Sequence, residues 1–150
     1  MKFFLALLVL VAGMVLYIRV APSEPDKWHV DPLAAGDPGR SGYLQQPGPG
    51  TKTYPMTPEA LMAAFDAVAM AAPRVQRLAG SVDGRHVTYI ARSRLMRFPD
   101  YVSVRAVAAE GGAQLAIYAR QWFGAGDQGV NRARTESWLD RLDRLGVAAG

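Results

Sequence analysis

Residues Tyr101–Trp122 read YVSVRAVAAEGGAQLAIYARQW, two β-like runs, Tyr101–Ala109 and Ala113–Trp122, around Gly111-Gly112. β-Branched and aromatic residues fill the runs, and the glycine pair is a two-residue turn signal, so the stretch predicts a hairpin. With a type I′ turn Glu110 faces Ala113, and the register follows. Val104 then opposes Ala119, Ala106 opposes Ile117 and Ala108 opposes Leu115, all apolar. On the reverse face Arg105 opposes Tyr118 and Ser103 opposes Arg120. One apolar face and one arginine- and tyrosine-bearing face describe an antiparallel sheet with its core on one side.

Upstream, Val75–Val82 and Arg85–Leu95 flank Asp83-Gly84, a second hairpin signal. Before it, Thr57 is an N-cap, Pro58 fits the first helical position and Glu59 complements the dipole. Leu61, Phe65, Val68, Ala69 and Ala72 recur at helical spacing, and Pro73 stops the helix. Downstream, a last helix over roughly residues 131–145 has Trp138, Leu142 and Leu145 on its buried face, with Gly146 as its stop. The order predicts an α+β domain over residues 57–146: a four-stranded antiparallel sheet with two helices packed on one face. Residues 147–150 read as a tail. No internal repeat and no coiled-coil heptad is visible.

The N-terminal third reads differently. Phe3–Ile18 (FFLALLVLVAGMVLYI) is free of charge between Lys2 and Arg19. Sixteen such residues with snorkelling flanks make about 24–30 Å of helix, enough to cross a bilayer. Arg19, Val20 and Pro22 around Ala21 make a poor cleavage site, so residues 1–21 are expected to be an uncleaved anchor, with a cleaved export signal as the alternative. The next thirty residues hold more acid than base, which fits the non-cytoplasmic side of a bacterial inner membrane. Secretion to the periplasm after cleavage is the other localisation. Residues 22–56 carry seven prolines and many glycines, the composition of an extended tether. Trp28-His29-Val30-Asp31-Pro32 breaks the pattern: a tryptophan there sits at the membrane interface or docks back on the domain.

The formal net charge of +4 lies wholly in the second half. Residues 1–84 carry seven basic and seven acidic side chains; residues 85–150 carry ten arginines, no lysine and six acids. Planar guanidinium suits bidentate pairing with carboxylate or phosphate, although a GC-rich genome produces the same bias. There is no cysteine, which excludes a disulfide framework, a cysteine nucleophile, a thiolate metal site and a lipoprotein anchor.

Between the last strand and the last helix lies Gly124-Ala125-Gly126-Asp127-Gln128-Gly129-Val130-Asn131-Arg132-Ala133-Arg134. Its Gly124, Asp127, Gly129, Asn131 and Arg134 resemble, in order and spacing, the G-x-x-D-x-G-x-N-x-x-R signature of a bacterial family known as domain of unknown function 1499. Arg92-Ser93-Arg94 followed by Phe98-Pro99-Asp100 is similar to that family's R-x-R…F-x-D stretch. The likeness runs from about Trp28 to Leu145. One stretch departs: Ala119-Arg120-Gln121-Trp122 stands where the family has a Ser-x-Ser-Arg-like run. Several members of the family carry membrane segments before the domain. The resemblance implies no substrate, cofactor or catalytic residue.

Two sets of residues are candidates for binding. In the Gly124–Arg134 corner, glycines permit close backbone approach and a helix N-terminus aims free amides at one point, with Arg132 and Arg134 beside it. Such a corner takes a carboxylate, phosphate or sulfate; equally, Asp127 or Asn131 caps the helix and Arg134 pairs with Asp127 or Asp100. The second set, Arg92, Arg94, Arg105 and Arg120 with Tyr101 and Tyr118, shares the polar sheet face and suits an anionic head group or acidic partner, or a solvated face of ion pairs. The binding residues are therefore Arg92, Arg94, Asp100, Arg105, Arg120, Asp127, Gly129, Asn131 and Arg134. His29 and Asp31 make only two metal ligands and Ser81 with His86 lacks a nucleophile elbow, so no metal, cofactor or catalytic residue is assigned. No nucleic-acid motif is present.

The favoured function is a non-enzymatic, membrane-anchored envelope module that binds an anionic small ligand or a protein partner. One alternative is a small hydrolase or lyase using Asp100, Asp127, Asn131 and Arg134. The other is an accessory subunit of an inner-membrane complex, with Phe3–Ile18 packed against other helices. A binding module should present Arg105 and Arg120 on an open face; an enzyme should hold a buried carboxylate of raised pKa in a pocket.

Overall fold

A computed structural model describes residues 1–148. The chain runs α1 (Lys2–Val20), a single-turn α2 (Pro25–Trp28), β1 (Gly42–Gln45), α3 (Pro58–Ala71), β2 (Val75–Ser81), β3 (His86–Arg92), β4 (Pro99–Ala109), β5 (Gly112–Gln121) and α4 (Val130–Ala148). The five strands form one antiparallel sheet in the order β1-β5-β4-β3-β2. α1 is long and apolar enough to cross a membrane, and its side chains are almost all exposed.

α3 and α4 pack on the same sheet face. Thr57 caps α3 by accepting from the Ala60 amide, and Leu61, Phe65, Val68 and Ala69 face inward. On α4 the inward stripe is Asn131, Thr135, Trp138 and Leu142. Trp138 meets Phe65 edge-on at 5.9 Å and Tyr89 at 6.1 Å, joining both helices to β3. Burying aromatic side chains of this size supplies about 2–3 kcal/mol each, the largest single terms holding the layers together. At the layer's edge Asp66 pairs with Arg77 and accepts from the Tyr89 hydroxyl at 3.0 Å. Arg77, then Tyr89, overcome burial and hold the Asp66 carboxyl below its ordinary range.

The sheet has five strands rather than four, and the extra one comes from the stretch read as a tether. β1 pairs with β5 from Gly42–Arg120 to Gln45–Ile117, and Tyr54 bridges Ala113 beyond it. The Pro-Gly-rich residues between are pinned by Gln114, whose carbonyl oxygen accepts from the Gly48 amide while its amide donates to the Thr51 carbonyl and Thr53 hydroxyl. Proline blocks helix and central-strand structure there, but it does not prevent docking on an existing edge.

Two further expectations are corrected. The β4–β5 loop is Glu110-Gly111, because Ala109 faces Gly112, and the pairing is displaced by two residues. Gly112 takes φ +151, and a Cβ on it would lie 1.9 Å from the Tyr54 carbonyl oxygen. That close approach makes Gly112 a strand residue. A two-residue slip keeps every side chain on its face, so Val104, Ala106, Ile117 and Ala119 are in the core as predicted. Leu145 is exposed, and α4 continues through Gly146 to Ala148, so the helix outruns the core that Trp138 and Leu142 reach. Residues 149–150 of the expected tail lie outside the described residues.

Candidate functional site

The polar face of the sheet is covered. Residues 23–34 lie across it as a strap, and each contact uses a side chain that strand alternation placed there. Trp28 stacks on Tyr101 with ring centroids 3.8 Å apart and planes 7° from parallel. Its carbonyl accepts from Arg120 Nη2 at 2.6 Å, and the guanidinium lies over both the Trp28 and Tyr118 rings. Arg120 is 8% exposed and has no carboxylate partner among the described residues. Burial pulls its pKa down, but an arginine remains charged, and the aromatic faces and carbonyl take the place of a counter-ion. His29 Nδ1 shares a hydrogen bond with the Thr88 hydroxyl, His86 Nε2 with the Val30 carbonyl, and the two rings stack at 4.0 Å. Asp31 pairs with Arg105. The open face expected for Arg105 and Arg120 is therefore occupied by the chain itself.

The Gly124–Arg134 corner is also filled from within. Asp127, only 9% exposed, accepts from the Gly129 amide at 2.9 Å and the Asn131 amide at 3.0 Å. Gly129 adopts φ +81, the left-handed conformation that turns its amide toward that carboxylate. Burial opposes ionisation of Asp127, yet the Gly129 and Asn131 backbone amides, with the Asn131 carboxamide nearby and the Arg134 charge, outweigh it and set its pKa below the ordinary range. The amides that would have received an external anion already hold one.

Behind the corner, Arg134 donates through Nη1 to Asn131 Oδ1 at 2.9 Å and through Nη2 to Asp100 Oδ2 at 2.9 Å. Burial, with help from Asp127, raises the Asp100 pKa against the pull of Arg134. Asn131 is fully buried, and its Nδ2 has no hydrogen-bond partner among the described residues. Asp100 on β4 and Asn131 and Arg134, one turn apart on α4, are thus one unit that fixes a guanidinium.

That guanidinium forms part of a cleft of about 360 Å³ between the C-terminal end of α3, the β2–β3 edge and α4. Five arginines line it, Arg74, Arg92, Arg94, Arg134 and Arg141, over one side of Trp138, and no carboxylate does. Among the described residues only Arg134 of the five has a carboxylate partner. The Arg92 head turns to the Arg19 and Arg97 carbonyls and Arg74 Nε to the Arg92 carbonyl, so these two contribute to the cleft wall with their heads partly engaged. The excess of positive charge gathered here is relieved by a bound anion. Arg74 stands at φ +62, a left-handed conformation that costs a non-glycine residue about 1–2 kcal/mol. Its Nε donates to the Arg92 carbonyl at 3.2 Å, and Arg85, Arg97 and Gln128 adopt the same conformation away from the cleft.

Sequence reasoning brought Arg92, Arg94 and Arg134 forward but missed Arg74 and Arg141. Arg141 had a signal: Arg134, Trp138 and Arg141 lie at helical spacing on one stripe of α4. Arg74 had none beyond following Pro73. Asp100 and Asn131 support the cleft without lining it, Asp127 and Gly129 belong to the helix cap, and Arg105 and Arg120 lie under the strap. Among the described residues no group of three His, Cys, Asp or Glu side chains is placed to hold a metal.

No curated protein and no solved structure matches the chain. A family profile matches residues 22–142, so its span takes in the strap, the sheet, the cleft and most of α4. The chain belongs to that family, which is described as Protein of unknown function (DUF1499).

Proposed function

We propose that this protein is a membrane-anchored binding module whose arginine cleft takes a carboxylate or phosphate group of an anionic ligand, with α1 in a bacterial inner membrane and the domain on its periplasmic side. The observation that carries the reading is the set of five arginines among the residues lining one cleft, with no acid among them. The Asp100 carboxylate is engaged by Arg134 and does not line the cleft, which favours binding over hydrolysis or lysis driven by that acid. The arrangement of Asp100 and Asn131 around Arg134 holds one guanidinium in a fixed pose, lowering the entropy lost when an anion docks.

The test is thermal unfolding of the full chain in non-ionic detergent, with inorganic phosphate titrated against chloride at equal ionic strength. A ligand at a hundred times its Kd stabilises the folded state by about 2.7 kcal/mol, so Tm should rise and saturate. Arg94→Glu and Arg141→Glu, both on exposed positions, should leave the baseline Tm within a degree or so and abolish the rise. Equal responses to phosphate and chloride in the unaltered protein end the reading. Anchoring is tested separately: the protein should resist alkaline extraction from membranes with Met1–Ala21 retained, whereas a cleaved leader would leave a shortened, extractable chain.

A further inference from the structure

We infer that the anion held by the arginine cleft is the head of an amphiphile, a lipid with an acidic head group whose acyl chain lies in an adjoining groove between α3 and α4; this rests on the binding reading above. The cleft does not end at Arg141. On the far side of that residue an apolar groove of about 430 Å³ is lined by Ala67, Val68, Ala71 and Leu145, with Arg144 at its rim. Arg141 belongs to both depressions, and Ala71 of the groove adjoins Ala72 of the cleft. A charged compartment opening into an apolar one is the shape of a single-chain amphiphile, and the arginines fix which end goes where. Leu145 is 52% exposed although it lies one turn beyond the buried Leu142, so the groove has an apolar wall that the fold itself leaves uncovered.

A second observation places the cleft beside the source of such a ligand. Arg92, at the end of β3 where the cleft begins, turns its head away from the cleft and donates from Nη1 to the Arg19 carbonyl in the last turn of α1 at 3.3 Å and to the Arg97 carbonyl at 3.0 Å. One guanidinium therefore joins the foot of the apolar helix to the β3–β4 loop. At the tip of that loop Leu95 is 83% exposed and Met96 is also exposed, bracketed by Arg94 and Arg97. Apolar side chains between arginines are the composition of a segment that rests in a lipid head-group region. With α1 in the bilayer, the loop and the mouth of the cleft meet its surface.

Native mass spectra of the full chain in maltoside micelles, offered hexadecyl phosphate, inorganic phosphate or hexadecanol, test the inference. Hexadecyl phosphate should be retained at one per chain and at least about tenfold more tightly than inorganic phosphate, the factor supplied by burying roughly two methylenes. Hexadecanol should not be retained. Leu145→Glu, at an exposed position, should weaken hexadecyl phosphate about tenfold while the phosphate-induced rise in Tm stays unchanged. Ala71→Glu should repeat the result from the opposite wall. Equal retention of the two phosphates, with no effect of Leu145→Glu, overturns the amphiphile and leaves the anion cleft standing. Retention of neither phosphate removes both.

Discussion

Arg134 on α4 reaches Asp100 near the start of β4 with 2.9 Å between Nη2 and Oδ2, and both side chains are largely withdrawn from water. The pair joins the last helix to the middle of the sheet and also aims a guanidinium at the cleft. Arg134→Ala leaves Asp100 buried without its counter-charge and should cost about 3 kcal/mol in urea unfolding.

The pH dependence of that variant carries a sign. Asp100 binds its proton more tightly folded than unfolded, so its contribution falls as pH rises from the unfolded value of about 3.9 through the higher folded one. Removing Arg134 raises the folded value further. The deficit of Arg134→Ala should therefore be largest near neutrality and shrink on acidification toward pH 4, as read from urea midpoints across that range.

Asp127→Ala should cost about 1–2 kcal/mol, because the Gly129 and Asn131 amides lose their acceptor. Asp127 has a depressed folded pKa, so its ionic contribution is present above about pH 3.9 and disappears as pH falls through the folded value. Asp127→Asn should keep most of the cap and flatten that acid limb. An Asp127→Asn protein with an unaltered acid limb would show that the carboxylate charge is not what stabilises the corner.

The strap should loosen in mild acid. Burial, then the neighbouring His29 ring and Arg105, depress the His86 pKa, with the Val30 carbonyl and Asp31 opposing. The detached state therefore takes up a proton first, and strap stability declines as pH drops below about 6.5 toward the folded value. Amide hydrogen exchange at residues 28–31 should accelerate between pH 7.5 and 5.5, and His86→Gln should remove most of that acceleration.

Trp28→Ala should cost about 2–3 kcal/mol, less than a fully buried tryptophan because the ring is only partly enclosed. It should also admit solvent to Arg120, which a guanidine-directed reagent such as phenylglyoxal would report. If Arg120 stays unreactive in that variant, the strap is not what shields it.

What could be read from the sequence was local. Thr57-Pro58, Pro73 and the 61–65–68 spacing define α3 within a few residues, and alternation in Tyr101–Trp122 sorts the two sheet faces even with the wrong turn. Glu110-Gly111 and Gly111-Gly112 give the same faces, and only the Tyr54 carbonyl, more than fifty residues upstream, decides between them. β1 was illegible for the same reason: four residues between glycines and prolines become a strand only because β5 offers an edge. The cleft draws on the ends of α3, β2 and β3 and one stripe of α4, so no contiguous stretch announces it. Arg105 and Arg120 were rightly placed on one face, but nothing in their spacing says that Trp28 and Asp31 will lie on them.

The docking of the strap changes the mechanics of the mount. A flexible linker of thirty-five residues would have a root-mean-square span of roughly 30–35 Å and let the domain sample a broad shell above a bilayer. Instead Ser23 already shares a hydrogen bond with the Tyr101 hydroxyl at 2.7 Å, leaving only residues 21–22 after α1. Two extended residues reach about 7 Å. With α1 in a membrane, the domain would ride on a short stub, one side held down and the other always facing away. A soluble partner would meet a single presented side, and lipid would meet the other without any need for the domain to bend over.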